Sequence, residues 1–418
     1  MSKLVVVGQG YVGLPLAIRA AEVGYTVVGY DLDARRIDRL RAGDSYIEDV
    51  DSARLRAVLA AGLYQPTMEA RACAGFDVAV ISVPTPLREG VPDLSYVESA
   101  AATLARFLRP GATVVLESTT YPGTTEELVG PLLSDGSGLK AGVDFHLGYS
   151  PERIDPGNPR WDLVSTPKVV SGMSADSLDA VDAFFRTIVD RTVRVNSPGV
   201  AELTKLLENT FRHVNIALVN ELAMFASALG IDVWEAIDAA STKPFGFMRF
   251  TPGPGVGGHC LPIDPSYLSW RVRRSLGRPF RFVELANDVN EHMPDYVVRR
   301  VMEGLNRQGR STKGSRVLLL GMAYKENSGD AREAPSGVIV ERLLALGADV
   351  RAADPHVSES HVDPRVTLVE ATEAEAREAD LVVIVTAHDA FDYDAVLASG
   401  TSILDTRHRL DGPTVEHL

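Results

Sequence analysis

Cysteine is scarce in this sequence. Cys73 and Cys260 are the two thiols in 418 residues, too few for a disulfide framework. Long apolar runs are missing as well, and none approaches the roughly 18 residues that span a bilayer. The opening Met1–Val7 resembles the start of a signal peptide, but Gly8, Gln9 and Gly10 cut the apolar stretch short. Positive charge is in deficit: 42 Lys and Arg against 56 Asp and Glu leave a formal net charge of −14. That sign repels phosphate backbones and anionic lipid, so neither nucleic acid nor a membrane is an expected partner. What remains is ordinary, with 45% hydrophobic and 23% charged residues, the composition of a folded globular chain. The length asks for two or three domains. A cytoplasmic soluble protein is expected.

Short apolar runs alternate with amphipathic stretches through the first half, the pattern of repeated β-α units under a parallel sheet. The strands expected are Leu4–Val7, Thr26–Tyr30, Val78–Val83 and Thr113–Leu116, with a helix over Ser95–Phe107. Ser197-Pro198 is a helix-start signal, and the helical pattern then runs to Gly230. Its apolar face is Leu203, Leu206, Leu207, Phe211, Val214, Leu218, Leu222 and Phe225. A glycine- and proline-rich loop, Thr251–Pro265, follows, and helix resumes to about Arg310 with a kink at Pro294. Strand periodicity returns at Arg316–Gly321. There the order of features echoes the N-terminus: Gly8 by Gly321, Asp31 by Asp354, Phe76-Asp77 by Ala379-Asp380. The expected fold class is α/β, two Rossmann-like doubly wound domains joined by a central helical domain. The boundaries are 1–196, 197–310 and 311–418.

Gly8-Gln9-Gly10-Tyr11-Val12-Gly13 fits GxGxxG between a strand and a helix. The first glycine permits the tight turn, the second lets a pyrophosphate approach, and the third packs helix on strand. Asp31 closes the second strand about 20 residues on, where a carboxylate binds a ribose 2′-hydroxyl and repels a 2′-phosphate. NAD is therefore favoured over NADP, with Arg35 and Arg36 as the opposing charges. Cys260, with His259 beside it and Asp264 four residues on, is a candidate nucleophile or a small buried hydrophobe. Cys73 has no neighbouring chemistry and reads as structural. Lys205, Asn209 and His213 recur at helical spacing and form either a solvated stripe or an oxyanion-stabilising one. Glu117–Thr124 follows a strand and Ser150–Gly157 mixes carboxylates with a guanidinium; each is a ligand loop or a plain turn. In the last domain Lys325 and Arg332 follow a strand end and suit an anionic ligand such as a diphosphate, or helix-start salt bridges. No metal is expected.

The fingerprint, Ser150-Pro151-Glu152, Lys205 with Asn209, the Gly257-Gly258-His259-Cys260 loop and Tyr324-Lys325 occur in one order. Together they resemble the UDP-glucose/GDP-mannose dehydrogenase family of nucleotide-sugar 6-dehydrogenases, over essentially the whole chain. The resemblance implies oxidation of a sugar CH2OH to a carboxylate with two NAD, through a thiohemiacetal and a thioester on Cys260. It implies Lys205 and Asn209 holding the oxygen, Asp264 orienting water with Thr119 assisting, and Glu152 acting in thioester hydrolysis. It extends the cofactor contacts to Tyr11, Val12, Arg36, Pro84, Thr85, Thr119 and Arg332. The implied UDP-sugar contacts are Glu152, Arg153, Lys205, Asn209, Arg212, His213, Phe250, Gly257 and Lys325. A homodimer or larger homo-oligomer built on the central helices is implied too. Val256, His259 and Ile263 depart from the GFGGSCxPKD-like loop of UDP-glucose enzymes and resemble the branch that oxidises UDP-N-acetylhexosamines. UDP-N-acetylglucosamine is the first expectation, UDP-N-acetylmannosamine the second and UDP-glucose lower.

Two other classes compete. A two-electron hydroxy-acid dehydrogenase also pairs a helical Lys with an Asn but needs neither Cys260 nor a C-terminal α/β domain. A sugar-nucleotide sensor would bind without turnover.

Overall fold

The computed structural model describes residues 2–418 except Glu48, Glu89, residues 155–157, Pro159, His259, Glu359 and Ser360; of Cys260 it describes the backbone alone. The chain forms two compact units, Met1–Glu208 with Trp270–Gly277 and Asn209–Ser269 with Arg278–Leu418. Each is taken by itself.

The first unit is built on a six-stranded parallel sheet: β1 (Lys3–Val7), β2 (Thr26–Tyr30), β3 (Tyr64–Thr67), β4 (Val78–Ile81), β5 (Thr113–Leu116) and β6 (His146–Tyr149). The order is β3-β2-β1-β4-β5-β6. Alternation along β1 shows why these Val- and Leu-rich runs become buried strands. Leu4 and Val6 pack with Leu14 and Ile18 of α1 (Gly13–Glu22), while Val5 and Val7 face the layer holding Val97 and Leu104 of the helix Ser95–Ala105. A parallel two-stranded pair, β7 (Lys168–Val170) and β8 (Thr192–Arg194), completes the unit.

The second unit repeats the arrangement. Its strands are β9 (Arg316–Leu320), β10 (Asp349–Ala353), β11 (Thr367–Leu368), β12 (Leu381–Ile384), β13 (Ile403–Asp405) and β14 (Val415–His417), ordered β11-β10-β9-β12-β13-β14. All its pairings are parallel. The echo between the two sequences extends to single hydrogen bonds. Lys3 N–H donates to the Asp77 carboxylate at 2.7 Å and Arg316 N–H to Asp380 at 2.9 Å, each fixing the start of the first strand against the fourth. Gly8 and Gly321 both take positive φ, and a Cβ at either would lie 2.3–2.4 Å from a carbonyl at the end of the neighbouring strand.

The connecting helices are α2 (Pro198–Leu229), α3 (Val233–Ser241), α4 (Cys260–Leu276) and α5 (Arg281–Arg307), and α6 (Pro335–Ala345) follows β9. Ser197 caps α2 through the Val200 N–H, and Gly230 stops it at φ +69°. Two expectations need correction. The fourth strand ends at Ile81 rather than Val83, because Ser82 must pass under Gly8 and Val83 N–H turns to the Ser118 hydroxyl. The loop expected over Thr251–Pro265 gives way to helix at Cys260; Pro262 sits in the first turn, where its missing N–H is no loss. The apolar stripe of α2 is mostly not core. Leu206 is buried, whereas Leu203, Leu207, Phe211, Leu218, Leu222 and Phe225 are exposed. Helix α5 runs through Pro294.

Candidate active site

In the first unit the turn from β1 into α1 is fixed from both sides. A Cβ on Gly13 would lie 1.9 Å from the Gly8 carbonyl oxygen, whereas one on Gly10 would meet nothing within 4 Å. The backbone is thus closed toward the sheet and open at Gly10, where a ligand's phosphates can approach. Asp31 accepts the Gln9 N–H at 2.7 Å and the Asp33 N–H at 2.9 Å, with Arg36 at 3.5 Å. These contacts place the carboxylate at the lip of the glycine turn. Gln9 itself, unremarked in the sequence, is buried and holds the turn through Tyr64 Oη and the Val6 carbonyl. Tyr11 is exposed beside it and Val12 half-buried; Pro84 is exposed and Thr85 half-buried just past β4. The residues present fit a dinucleotide with a free ribose 2′-hydroxyl.

The ends of β5, β6 and β7 bring a second group together. Lys168 Nζ lies 2.5 Å from Glu117 Oε1 and 2.8 Å from Glu152 Oε2, and all three side chains are nearly or wholly buried. Glu152 Oε1 accepts the N–H groups of Arg153 (2.6 Å) and Ile154 (2.8 Å). Burial works against the charge on Glu152, but Lys168 and the donated N–H groups outweigh it and hold the carboxyl below its usual value. Among the described residues Glu117 has one donor instead of three, and burial pushes it up to about 7 against the pull of Lys168. Lys168 is held charged by the two carboxylates in spite of burial. Lys205 is buried, and its charge also favours ionised Glu152. Arg153 forks onto Glu208 and donates to the Pro167 carbonyl, which commits its guanidinium to the scaffold. Thr119 is half-buried on the loop after β5. That loop is pinned by buried Glu202, which accepts Gly123 N–H, Thr125 N–H and Thr125 Oγ1 at 2.6–2.9 Å. Asp155, Pro156 and Gly157 of the Ser150–Gly157 cluster lie outside the described residues.

In the second unit Asn209 of α2 donates to Asp264 of α4 at 2.5 Å, both buried. His213 is buried; its Nε2 lies 2.7 Å from Asn287 Oδ1, and burial lowers its pKa. The solvated-stripe reading of Lys205, Asn209 and His213 is thereby overturned. Cys260 is the first residue of α4, one turn before Asp264; its side chain, and His259 entirely, lie outside the described residues. The glycine segment before it is locked in place. Asn220 accepts Gly253 N–H at 2.9 Å, and a Cβ on Gly257 or Gly258 would strike Tyr324 at 2.8 Å. This close approach explains the glycine density and sets Lys325 next to the loop's neighbour. Arg332 pairs with Asp330, Arg212 is exposed, and Phe250 meets Phe211 edge-on at 5.7 Å. Cys73 is buried, and burial pushes its thiol up to about 11, in keeping with a structural role.

Sequence reasoning missed Arg407. Its Nε donates to the Val385 carbonyl at 2.7 Å, and a Cβ on Gly253 would lie 2.8 Å from its Nη1. Its backbone N–H donates to the Asp405 carboxylate at 2.8 Å, and burial pulls the guanidinium pKa down. A cation held beside a glycine segment is a ready partner for an anionic ligand. Its place after β13 was the available signal, because ligands gather at strand C-termini in such sheets. Glu117 and Lys168 were missed as a pair, since 51 residues separate them. His408, Asp411 and His417 bring donor atoms within 4.8 Å of one another, but His417 Nε2 already bonds the Leu410 carbonyl and His408 stacks on Trp234.

Comparison with known proteins agrees with this geometry. The sequence matches the UDP-glucose/GDP-mannose dehydrogenase family in its NAD binding domain over residues 2–189, its central domain over 199–292 and its UDP binding domain over 318–412. A UDP-N-acetyl-D-mannosamine dehydrogenase of Pyrococcus horikoshii is 37% identical over 390 residues, 93% of this chain and 90% of that protein. A UDP-N-acetyl-D-glucosamine 6-dehydrogenase of Pseudomonas aeruginosa is 39% identical over 358 residues, 85% and 83% of the two. The solved UDP-D-ManNAc dehydrogenase structure from P. horikoshii superposes with TM-score 0.90 at 35% identity, covering 99% of this chain and 98% of that one. No helix among the described residues is long and apolar enough to cross a membrane. With a glycine turn and Asp31 shaped for NAD, and all three family domains matched in order, the chain belongs to the UDP-glucose/GDP-mannose dehydrogenase family and is an NAD-dependent nucleotide-sugar dehydrogenase.

Proposed function

We propose that this enzyme oxidises the C6 hydroxymethyl of a UDP-N-acetylhexosamine to the carboxylate through a covalent adduct on Cys260. The observation that carries the reading is the 2.5 Å contact between Asn209 and Asp264, which joins the polar stripe of α2 to the helix that Cys260 begins. Two NAD molecules, bound one after the other, would each accept one hydride. The chain supplies the rest. Lys205 and the second amide hydrogen of Asn209 steady the oxygen that becomes anionic. The Cys260 thiol adds to the C6 aldehyde, the thiohemiacetal is oxidised to a thioester, and water releases the acid and restores the thiol. Asp264 orients that water, Thr119 assists, and Glu152 presents a fixed negative charge to it. Lys325 and Arg407 face the anionic nucleotide, and Arg212, His213, Phe250 and Gly257 shape the sugar side.

The loop around Val256 and Ile263 supports an N-acetylhexosamine over glucose, and UDP-N-acetylglucosamine is the first choice, supported by the P. aeruginosa relative. UDP-N-acetylmannosamine is the second reading, supported by the P. horikoshii protein. The exposed apolar stripe on α2 supports a homodimer formed there. The same reading keeps the enzyme in the cytoplasm. The test is the NADH yield with UDP-glucose and the N-acetylglucosamine, N-acetylgalactosamine and N-acetylmannosamine nucleotides at matched concentration. Two NADH per UDP-sugar are expected; one would indicate two-electron chemistry, and none with any sugar would indicate a sensor.

A further inference from the structure

The pocket at the ends of β5, β6 and β7 holds two carboxylates and one ammonium. Glu117 and Lys168 are 0% and 3% exposed, so the surplus negative charge has no water to spread into. The donors are divided unequally. Among the described residues Glu152 receives Lys168 and two backbone N–H groups, whereas Glu117 receives Lys168 alone and its buried Oε2 has no hydrogen-bond partner. A proton entering the pocket therefore belongs on Glu117, where it relieves a bare oxygen, and not on Glu152, where it would cost donated bonds.

We propose that Glu117 and Lys168 are positioning residues for Glu152: Lys168 holds its carboxylate ionised and fixed, and Glu117 is the proton reservoir that sets how strongly Lys168 does so. The inference rests on the reading of Glu152 as the acceptor beside the thioester's water. The charged groups facing Glu117 are Lys168 from β7 and Glu152 from the loop after β6. Lys205 from α2 acts on Glu152, and from the helix Ala175–Phe185 the Phe185 ring lies 5.3 Å from the Lys168 ammonium. With Glu117 protonated, Lys168 serves Glu152 alone and the cluster is neutral. When Glu117 ionises it competes for the ammonium, leaving Glu152 less neutralised and a stronger base toward water. No atom is exchanged with the substrate; one proton moves between Glu117 and solvent.

Two measurements on the full-length enzyme test this. The first needs no turnover: infrared difference spectra between pH 5.5 and 8.5 should show a protonated carboxyl stretch that disappears at the higher pH. The band should be absent in Glu117→Gln and retained in Lys168→Arg. Its persistence in Glu117→Gln, or its absence from the parent, would overturn the proposal. The second is kcat against pH. The parent should rise about threefold through neutral pH, the scale a modest change in base strength gives. Glu117→Gln should be flat there while Lys168→Arg keeps the rise; superimposable parent and Glu117→Gln profiles would overturn the positioning role. Should Glu117→Gln fail to fold, Lys168→Met replaces it: its acid limb must move to higher pH as Glu152 loses its counter-ion, and an unmoved limb overturns the proposal. Absence of NADH with every sugar would count against the assigned reaction, and the infrared result would still decide where the proton resides.

Discussion

Asn209 donates its side-chain amide to the carboxylate of Asp264 across 2.5 Å, and neither side chain reaches bulk water. This contact fixes the rotamer of an amide whose other hydrogen, on the proposed reading, addresses the reacting oxygen. Replacing Asn209 by Ala should lower kcat by about 10²–10³, the usual cost of losing one oxyanion donor, with little change in KM. It also removes one hydrogen-bond donor from the buried Asp264 carboxylate, so a stability loss of roughly 1–3 kcal/mol should accompany it. NADH formation at saturating UDP-sugar, with thermal unfolding as the control, measures both. Unchanged kcat in a folded variant would remove Asn209 from the oxygen's surroundings.

Cys260→Ser should still bind NAD and UDP-sugar yet lose turnover by several orders of magnitude. Near-normal steady-state oxidation would rule out the covalent route. Cys73 gives an internal control. Its thiol is buried and pushed up to about 11, so it should resist iodoacetamide at pH 8 until the protein is unfolded, as peptide mapping would show.

Asp31→Ala should narrow the preference for NAD over NADP, by about tenfold or more in kcat/KM, because the charge opposing a 2′-phosphate is gone. Arg36, 3.5 Å from that carboxylate, would then be available to the phosphate. A preference that does not move places Asp31 away from the ribose.

Glu117 makes stability depend on pH in a definite direction. Its folded-state value, about 7, exceeds that of an unfolded glutamate, so the folded protein holds the proton more tightly. The stabilisation is complete below the unfolded value near 4.3 and is lost as pH rises through 7. Between pH 5 and 8 the parent's unfolding free energy should therefore fall relative to that of Glu117→Gln, by an amount on the order of 1–3 kcal/mol. Parallel curves for the two proteins across that range would contradict the assignment.

On α2, Leu218 and Leu222 stand 52% and 47% exposed one turn apart, continued by Phe225 and Leu229. Burying such side chains contributes roughly 1.5–3 kcal/mol each, enough to drive pairing of two chains. Leu218→Asp combined with Leu222→Asp should yield a monomer by sedimentation. A parent that is already monomeric at micromolar concentration would dismiss the interface.

Much of the scaffold could be read from local pattern. The run Val5–Gly8, the turn to Gly13 and the carboxylate at Asp31 are near in sequence. The apolar runs marked four strands of the first sheet and the opening strand of the second, while edge strands such as Tyr64–Thr67 and Val415–His417 went unread. The chemistry was less visible. Glu117, Glu152 and Lys168 lie on three separate strand ends, and nothing about Pro167-Lys168-Val169 distinguishes a buried ammonium from a surface one. The helix beginning at Cys260 was hidden by Pro262 and Pro265, which in isolation read as turn formers. The α2 stripe has helical spacing whether its apolar side meets the same chain or another, so periodicity could not say which.

The twin sheets differ where it matters for ligand counting. Asp354 holds the place in the second sheet that Asp31 holds in the first, accepting the N–H of Met322 at 2.6 Å just as Asp31 accepts that of Gln9. There, however, His388 Nε2 lies 3.0 Å from the same carboxylate, three more backbone amides join it, and the group is sealed from solvent. An acid already saturated from within has nothing left to offer a ribose. Although the architecture is present twice, calorimetric titration should therefore find a single dinucleotide bound per polypeptide.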